Sequence, residues 1–456
     1  MWAPVELREV TTTAAADLFR TGRPATAGSI TATAFATVGG AGLLLLRQTG
    51  TGALDTIYAE DGFIFLRDAV DAPVAAVVDP YAGYLHALPR LVAAGVAGLP
   101  PTLAAAGSAV AAALIVAALA QVLRVAMAPH LRSSLLAWMM AAAVILLPVG
   151  QEEVFNALAN IHWFLAVPVF WVLLWRPPSR AGTVAAAAFV GLSALSDPFV
   201  LLVAPVALVR LAVLPGVRDR LIPAALLVGS AGQAIAMLLA GPDRTLAGST
   251  SLARVGGQFA THVLGAGVLG DASRSRLPDA VMGLAGLGAV TLLTAIWVLH
   301  RDRFSRPDDL LIALVATGAV AFFAAPVLLS GEAPPRYSVA PVLMLYGVAV
   351  LVVDRTRERA PGDLLSVVFL GIVVIAAVNY PLVNTRAGGP SWGRSVESAR
   401  VACTGRPPPP SADLAMVPSG TFPLPCPWLV GMGPGEDPME ALGTGRWPVH
   451  EGRAIG

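Results

Sequence analysis

The chain contains no lysine, and only 13% of its 456 residues are charged. Soluble domains carry roughly 25% charged residues, so this deficit excludes an ordinary soluble protein. All 30 basic residues are arginines, and no basic cluster is interleaved with aromatic residues, which argues against nucleic-acid binding. The missing lysine, together with abundant alanine, glycine, proline and valine, is typical of a bacterial genome of high GC content.

Motifs of several enzyme and transport classes are also missing. There is no phosphate-binding Gly-rich loop ending in Lys, no His-Glu-x-x-His and no Gly-x-Ser-x-Gly. Within the apolar segments, ionisable residues are scarce apart from Asp197 and Arg210 near segment ends. This scarcity argues against an ion-coupled pump, which needs ionisable groups along its path.

Long apolar segments dominate the rest of the chain, of which 56% is hydrophobic. A membrane span needs roughly 20 apolar residues, and this criterion predicts an all-α polytopic membrane protein with about 11 transmembrane helices, or 10–12. The segments 181–196 and 198–214 are short enough to form a re-entrant hairpin instead of two spans. The predicted spans are 26–46, 102–124, 131–149, 157–175, 181–196, 198–214, 221–240, 279–299, 309–330, 338–353 and 363–383.

Arginine-rich short connections alternate with acidic ones, and the positive-inside rule places the former in the cytoplasm. The chain therefore divides into a cytoplasmic N-terminal segment, 1–25, a transmembrane domain, 26–383, and an extracytoplasmic tail, 384–456. This topology predicts a multi-pass protein of a bacterial plasma membrane, with the N-terminus cytoplasmic and the C-terminus extracytoplasmic.

The outer regions have two notable features. The first outer loop contains amphipathic stretches, one beginning at Asp61 and one over 84–99, which predict interfacial helices. The tail is rich in proline and glycine, so we expect a small coil-rich appendage. Its cysteines, Cys403 and Cys426, are the only two in the chain and predict a disulfide on an oxidising face; two unpaired thiols are the alternative.

The adjacent carboxylates Glu60 and Asp61 follow the first span in the sequence Tyr58-Ala59-Glu60-Asp61-Gly62. Carboxylates beside a bilayer are costly to desolvate and contribute little to packing, so they indicate function. A general base near a membrane surface needs such a group. The alternative is that Asp61 is an N-cap followed by a solvated turn.

A second polar group lies in the loop after the third predicted span. If 152–163 is helical, its polar residues share one face with Glu153 and His162 on the flanks, as a wet cavity for a polar ligand such as a sugar requires. The alternative is an ordinary interfacial helix end, with His162 as a structural histidine. The residues of the shared face are Glu152, Asn156, Asn160 and Trp163.

Arg336 and Tyr337 form a third group, before the tenth predicted span. An arginine in a short outer loop needs an anionic partner, and a phosphate fits its planar fork. Pairing with Glu332 is the alternative. Tyr84 and His86, near Tyr81 in the first loop, indicate carbohydrate or headgroup contact.

These residues together resemble the GT-C superfamily, the integral-membrane glycosyltransferases that use polyprenyl-phosphate sugars. The resemblance rests on Tyr58-Ala59-Glu60-Asp61-Gly62, Asn160-Ile161-His162-Trp163 and Arg336-Tyr337. It implies a GT-C-like fold over the transmembrane domain, and a polyprenyl-phosphate sugar as donor. Glu60 or Asp61 would act as base or acceptor ligand, and some members also bind a divalent metal through acids of the first two loops.

The resulting hypothesis is an inverting glycosyl transfer to a lipid or glycan acceptor hydroxyl on the extracytoplasmic face. Glu60 or Asp61 would take the acceptor proton and Arg336 would bind the donor phosphate, with Tyr337 beside it. The polar residues of the second loop would orient the sugar. The alternatives are a lipid or polysaccharide transporter, a non-catalytic cell-envelope assembly protein, and an acyltransferase or ligase of surface glycans.

Overall fold

The computed structural model describes residues 15–240, 250–356, 371, 374–382, 384–405 and 407–431. Over these residues the chain is mainly helical. In chain order, the α-helices are α1 (Ala27–Leu46), α2 (Arg67–Asp71), α3 (Ala87–Ala97), α4 (Ala104–Met127), α5 (Ser134–Ile145), α6 (Ala166–Leu174), α7 (Arg180–Ala194), α8 (Ala204–Val213), α9 (Val217–Ala240), α10 (Leu252–Gln258), α11 (Ala266–Leu269), α12 (Asp271–Arg274), α13 (Asp279–Leu299), α14 (Arg306–Ser330), α15 (Val339–Thr356), α16 (Trp392–Cys403) and α17 (Cys426–Leu429).

Shorter elements connect or extend these helices. Two strands, β1 (Arg20–Thr21) and β2 (Trp175–Arg176), pair in parallel, while β3 (Ser411–Ala415) and β4 (Thr421–Pro425) form an antiparallel hairpin. Two segments are π-helical, Asp61–Leu66 and Phe259–Gly265. The 3-10 segments are Ala75–Val78, Pro101–Leu103, Ala128–His130, Ile161–Phe164, Pro198–Val203, Arg301–Arg303, Pro335–Ser338 and Thr385–Gly388.

Six helical segments of the described chain are long and apolar enough to cross a membrane, as expected of a membrane-embedded protein. They are Ala27–Leu46, Pro101–His130, Val217–Ala240, Asp279–Leu299, Arg306–Ser330 and Pro335–Thr356. The sequence predicted about eleven spans. The predicted spans 131–149, 157–175, 181–196 and 198–214 are not among the six, because each forms an apolar helix of only 10–17 residues. The last predicted span, 363–383, lies mostly outside the described residues.

Helix α6 is the centre of the bundle. All nine of its residues are buried, including Phe170 and Trp171, and it packs against α4, α8 and α15. A helix that is apolar on every side can be buried on every side. The peripheral α1 is its opposite: it starts at a capping box formed by Thr26 and Ser29, and Phe35 on its outer surface is 75% exposed.

Two buried arginines satisfy carbonyl groups at helix ends. Arg47, which is 0% exposed, donates to the carbonyl oxygens of Ile145 at 2.7 Å, Leu147 at 3.0 Å, Asn379 at 3.1 Å and Tyr380 at 3.0 Å. The last carbonyls of a helix have no partner within it, so the guanidinium replaces the water that burial removes. It thereby ties the end of α1 to the end of α5.

Arg210 does the same at the other end of the bundle. Its Nη1 donates to the carbonyl oxygens of Leu173 at 2.6 Å and Trp175 at 2.7 Å. These groups lie at the C-terminal end of α6. The guanidinium fork carries five donors and is weakly hydrated, which suits it to this role in an apolar bundle.

The described part of the tail, 384–431, folds back onto the first loop. Trp392 donates from its indole nitrogen to the Pro101 carbonyl at 2.8 Å, and Trp428 donates to the Ala97 carbonyl at 2.9 Å. A hydrophobic cluster joins both tryptophans to Phe65 and Val96. We call the end of the bundle that carries this packing the tail end, and the end that carries β1 the arm end.

The predicted disulfide between Cys403 and Cys426 is confirmed. The prediction of a coil-rich tail is wrong for the described residues, because 411–425 forms a hairpin with a regular register and α16 precedes it. The prediction failed because it took proline as evidence of coil. Pro423 and Pro425 lie within β4, which pairs with one strand only, and an edge strand tolerates a missing N–H.

We predict that Arg47→Met destabilises the fold. The substitution leaves carbonyl oxygens buried without donors, which costs about 3 kcal/mol of unfolding free energy. Thermal unfolding in detergent, followed by tryptophan fluorescence, measures it. Arg23→Met is the matched control, because Arg23 is exposed and its loss should leave the melting temperature unchanged. Equal melting temperatures for the two variants would contradict the assignment.

Candidate functional site

The segment Ile57–Ala59, which precedes the carboxylate pair, is held by the tail. The Val417 amide donates to the Ile57 carbonyl at 3.0 Å, and the Ala59 amide donates to the Val417 carbonyl at 2.6 Å. Ala59 has a φ of 26°, a positive value that turns the chain sharply into the π-helix that begins at Asp61. The tail therefore fixes where the carboxylate pair begins.

Asp61 is buried, with 1% of its surface exposed. Its carboxylate accepts hydrogen bonds from the amides of Leu158 at 2.9 Å and Ala159 at 2.7 Å. Arg386 Nη2 lies 3.7 Å from the same carboxylate. Asp61 thus caps a turn of the second loop, 97 residues away in the chain, and does not cap its own helix as the alternative interpretation expected.

Burial raises the pKa of Asp61 to about 6, although Arg386 and the amide hydrogen bonds from Ala159 and Leu158 lower it. At neutral pH the carboxylate is therefore mostly ionised, the form that two N–H donors require. Both carboxylate oxygens of Asp61 are hydrogen-bonded to the backbone and the side chain is buried. Asp61 therefore connects the first loop to the second loop. Of the predicted pair, only Glu60 keeps part of its surface exposed.

Glu60 is half-buried, and the Tyr81 hydroxyl donates to its Oε1 at 3.4 Å. The pKa of the neighbouring Tyr58 reflects the charged residues around Glu60. Burial raises the pKa of Tyr58, and the charges of Glu153 and Glu60 raise it further. Carboxylates of the first and second loops therefore act on the same tyrosine, and Arg386 opposes them by lowering its pKa.

Arg336 comes from the 3-10 segment before α15 and pairs with Glu153. Its Nη1 donates to both carboxylate oxygens, at 2.7 and 2.8 Å. The guanidinium also lies 5.5 Å from the ring centroid of Tyr337. The anionic partner within the protein is thus Glu153 of the second loop, and the expected alternative, Glu332, does not form this pair. Both side chains keep some solvent contact, 30% for Arg336 and 17% for Glu153.

The predicted helix over 152–163 is wrong. Residues 151–156 form turns, and a 3-10 helix begins only at Ile161. Gly150 and Asn156 both have positive φ, 73° and 57°, and glycine and asparagine tolerate this conformation better than other residues. The helical spacing that would have aligned the polar residues on one face therefore does not exist.

The asparagines of that segment hold the turn together. Asn156 is buried and donates to the Leu44 carbonyl at 3.0 Å. Asn160 donates to the Glu153 carbonyl at 3.0 Å and accepts from the Trp163 indole at 3.2 Å. Glu152 is exposed. Asn160 thereby holds the backbone of the loop at Glu153.

The predicted aromatic and histidine residues do come together, as a continuous row of rings. Stacked Tyr84 and His86 have centroids 4.2 Å apart, and His86 lies 5.4 Å from His162. Trp163 follows at 4.5 Å from His162, and Tyr337 at 5.1 Å from Trp163.

This aromatic row connects the two charged groups. At one end, His86 lies 5.5 Å from Tyr81, whose hydroxyl bonds Glu60. At the other end, Tyr337 lies beneath Arg336. Ligand sites typically combine aromatic walls with a few polar groups. The first loop, the second loop and the segment before α15 therefore form one candidate site at the tail end.

Sequence reasoning missed Arg386, a buried residue of the tail. It donates to the Asn156 carbonyl at 3.1 Å, approaches Asp61, and lies 5.3 Å from the ring centroid of Tyr58. The argument that singled out Arg336 was that an arginine in a region predicted to be extracytoplasmic needs an anionic partner; it applies equally to Arg386 and could have found it.

The residues do not fit the divalent metal that some GT-C members bind. Asp61 and Glu153 already accept hydrogen bonds from amides and from Arg336. In the described part of the chain, no group of three or more His, Cys, Asp or Glu is arranged to hold a metal ion.

Comparison of the chain with protein-family models, curated proteins and solved structures finds no match.

We predict that Asp61→Asn destabilises the protein while Glu60→Gln does not. The amide –NH₂ of asparagine would face a backbone N–H, leaving a buried donor unsatisfied at a cost of about 1–3 kcal/mol. Glu60 makes only one long hydrogen bond with a described residue, so its substitution should change stability by less than about 0.5 kcal/mol. Thermal unfolding of both variants tests this; an unchanged melting temperature for Asp61→Asn would refute the anchoring role.

Proposed function

We propose that the protein is a membrane glycosyltransferase that moves a sugar from a polyprenyl-phosphate donor to a hydroxyl of a lipid or glycan acceptor. The observation that carries the proposal is the convergence of Glu60, the Glu153–Arg336 pair and the aromatic row at one end of a membrane-embedded helical bundle. The proposal includes a GT-C-like arrangement of about eleven spans, with the tail end extracytoplasmic in a bacterial plasma membrane.

Glu60 is the proposed general base. As the acceptor oxygen attacks the anomeric carbon, Glu60 takes the hydroxyl proton and the bond between that carbon and the phosphate oxygen breaks. The configuration at the anomeric carbon inverts, and polyprenyl phosphate leaves with the electron pair of the broken bond. The proton later passes from Glu60 to water. A half-buried carboxylate suits this role, since it can meet a substrate while a neighbour such as Tyr81 orients it.

Arg336 is the proposed phosphate ligand. Its hydrogen bonds to Glu153 both run through Nη1, and the guanidinium offers further donors on Nε and Nη2. Glu153 therefore orients the fork without occupying it. A phosphate placed against the remaining donors would be stabilised as its negative charge grows in the transition state.

The aromatic row is the proposed sugar platform. The rings of the row come from three separate parts of the chain and lie between base and arginine. Tyr84 and Trp163 keep part of their surface exposed, whereas His86, His162 and Tyr337 are buried. The exposed parts of Tyr84 and Trp163 would contact the sugar, and the buried rings would hold them in place.

Glu60→Gln should lower the transfer rate by about 10²–10⁴-fold, the usual contribution of a general base. The assay uses membranes of cells that express the protein, a panel of radiolabelled polyprenyl-phosphate sugars, and measurement of label in extracted lipid and polymer. Glu397→Gln is the matched control, an exposed carboxylate on α16 of the tail, and should retain full activity. Full activity of Glu60→Gln, or no incorporation from any donor, would contradict the proposal.

Arg336→Gln should lower the transfer rate by about 10²–10³-fold, because a positioned donor to the developing charge is lost. Arg336→Lys should recover only part of the rate, since an ammonium keeps the charge without the planar fork. Arg394→Gln, an exposed arginine of α16, is the control. Movement of labelled lipid across the membrane without bond formation would favour the transporter alternative instead.

A further inference from the structure

The arm end of the bundle contains two adjoining cavities, of about 670 and 390 Å³. Both volumes lie in the roughly 300–1,000 Å³ range of small-molecule sites. The first is lined by Phe19, Arg20 and Ser305, the second by Val217 and Arg218, and Arg176 lines both. This region is remote from the candidate site, because α1, α6 and α14 run between the two ends of the bundle.

Positive charge exceeds negative charge around the cavities. Among the described residues, their lining includes Arg20, Arg176, Arg210 and Arg218, but only Asp17 and Asp219 as carboxylates. Asp219 is shared: Arg176 donates to its two oxygens at 2.9 and 3.1 Å, and Arg210 lies 3.8 Å from it.

Arg20 makes only long contacts with the described residues. Its ion pair with Asp308 is long, 3.9 Å, and its hydrogen bond to the Pro129 carbonyl is 3.5 Å. Asp308 is already bound by Arg355 at 2.7 Å. Arg20 and Arg176 each keep 39% of their side-chain surface exposed, so both can bind an anion that enters the first cavity.

The cavities lie where several helices of the bundle begin or end. Their lining residues lie at helix ends: Arg176 follows α6, Leu214 follows α8, and Val217 begins α9. Val217 is 86% exposed and Leu221, one turn further along α9, is 43% exposed. Apolar side chains thus project outward directly beside the basic cavity, which favours a ligand with an anionic head and an apolar body over a free anion.

We propose that these cavities bind the phosphate headgroup of an anionic phospholipid from the leaflet at the arm end. The phosphodiester would lie between Arg20 and Arg176 in the first cavity, where arginine forks bind phosphate oxygens through paired N–H donors. The acyl chains would run along the exposed apolar surface that begins at Val217. The site is independent of the chemistry at Glu60.

Native mass spectrometry of the detergent-purified full chain, titrated with phosphatidylglycerol or phosphatidylcholine, tests the proposal. Phosphatidylglycerol should bind the unmodified protein at least about tenfold more tightly than phosphatidylcholine. Arg20→Gln should weaken the binding of phosphatidylglycerol about tenfold. Arg23→Gln is the matched control from the same segment, since Arg23 is exposed and lines neither cavity. It should bind phosphatidylglycerol like the unmodified protein.

Arg176→Lys provides a second variant, because it keeps the charge next to Asp219 and should fold even if Arg176→Gln does not. It should weaken phosphatidylglycerol binding while the melting temperature stays within a few degrees of the parent. Equal affinity for the two lipids, or equal loss in Arg20→Gln and Arg23→Gln, would overturn the proposal. Displacement of phosphatidylglycerol by millimolar inorganic phosphate, with phosphate binding in the absence of lipid, would also overturn it and identify a free-anion site.

Discussion

The contact between the Asp61 carboxylate and the amides of Leu158 and Ala159 organises the tail end of the molecule. A buried carboxylate is tolerated only when its oxygens are hydrogen-bonded and its charge is compensated. Here the second loop supplies the hydrogen bonds and Arg386 of the tail supplies the charge. Three parts of the chain that are distant in sequence are therefore fixed to one another at a single point.

Everything proposed for the site depends on that junction. Glu60 is adjacent to Asp61, and Glu153 belongs to the loop whose later residues Asp61 caps. Tail residue Val417 pairs with the backbone on either side of Tyr58, and the disulfide between Cys403 and Cys426 packs in the hydrophobic cluster that contains Ile57 and Phe65. The groups proposed to react are thus held by a further set of backbone and side-chain contacts, which a site formed by loops needs.

The role of each arginine in this lysine-free chain depends on how deeply its side chain is buried. Arg47 and Arg210 are buried and donate to backbone carbonyls at helix ends, where a planar set of N–H donors replaces several waters. Arg336 pairs with Glu153 at the tail end, and Arg20 at the arm end keeps much of its surface exposed. Burial separates the structural arginines from those that can meet a ligand.

The sequence by itself determined the helical, membrane-embedded character, because hydropathy is a local property, and it predicted the disulfide between Cys403 and Cys426, because two cysteines allow only one pairing within the chain. Only the tertiary structure decided that Asp61 is an anchor, that Arg336 faces Glu153, and that 151–156 forms turns. These outcomes rest on contacts between residues up to 230 positions apart, such as that of Arg386 with the Asn156 carbonyl. The local sequence does not predict such contacts, because whether a charged side chain is buried depends on hydrogen-bond donors that are distant in the chain.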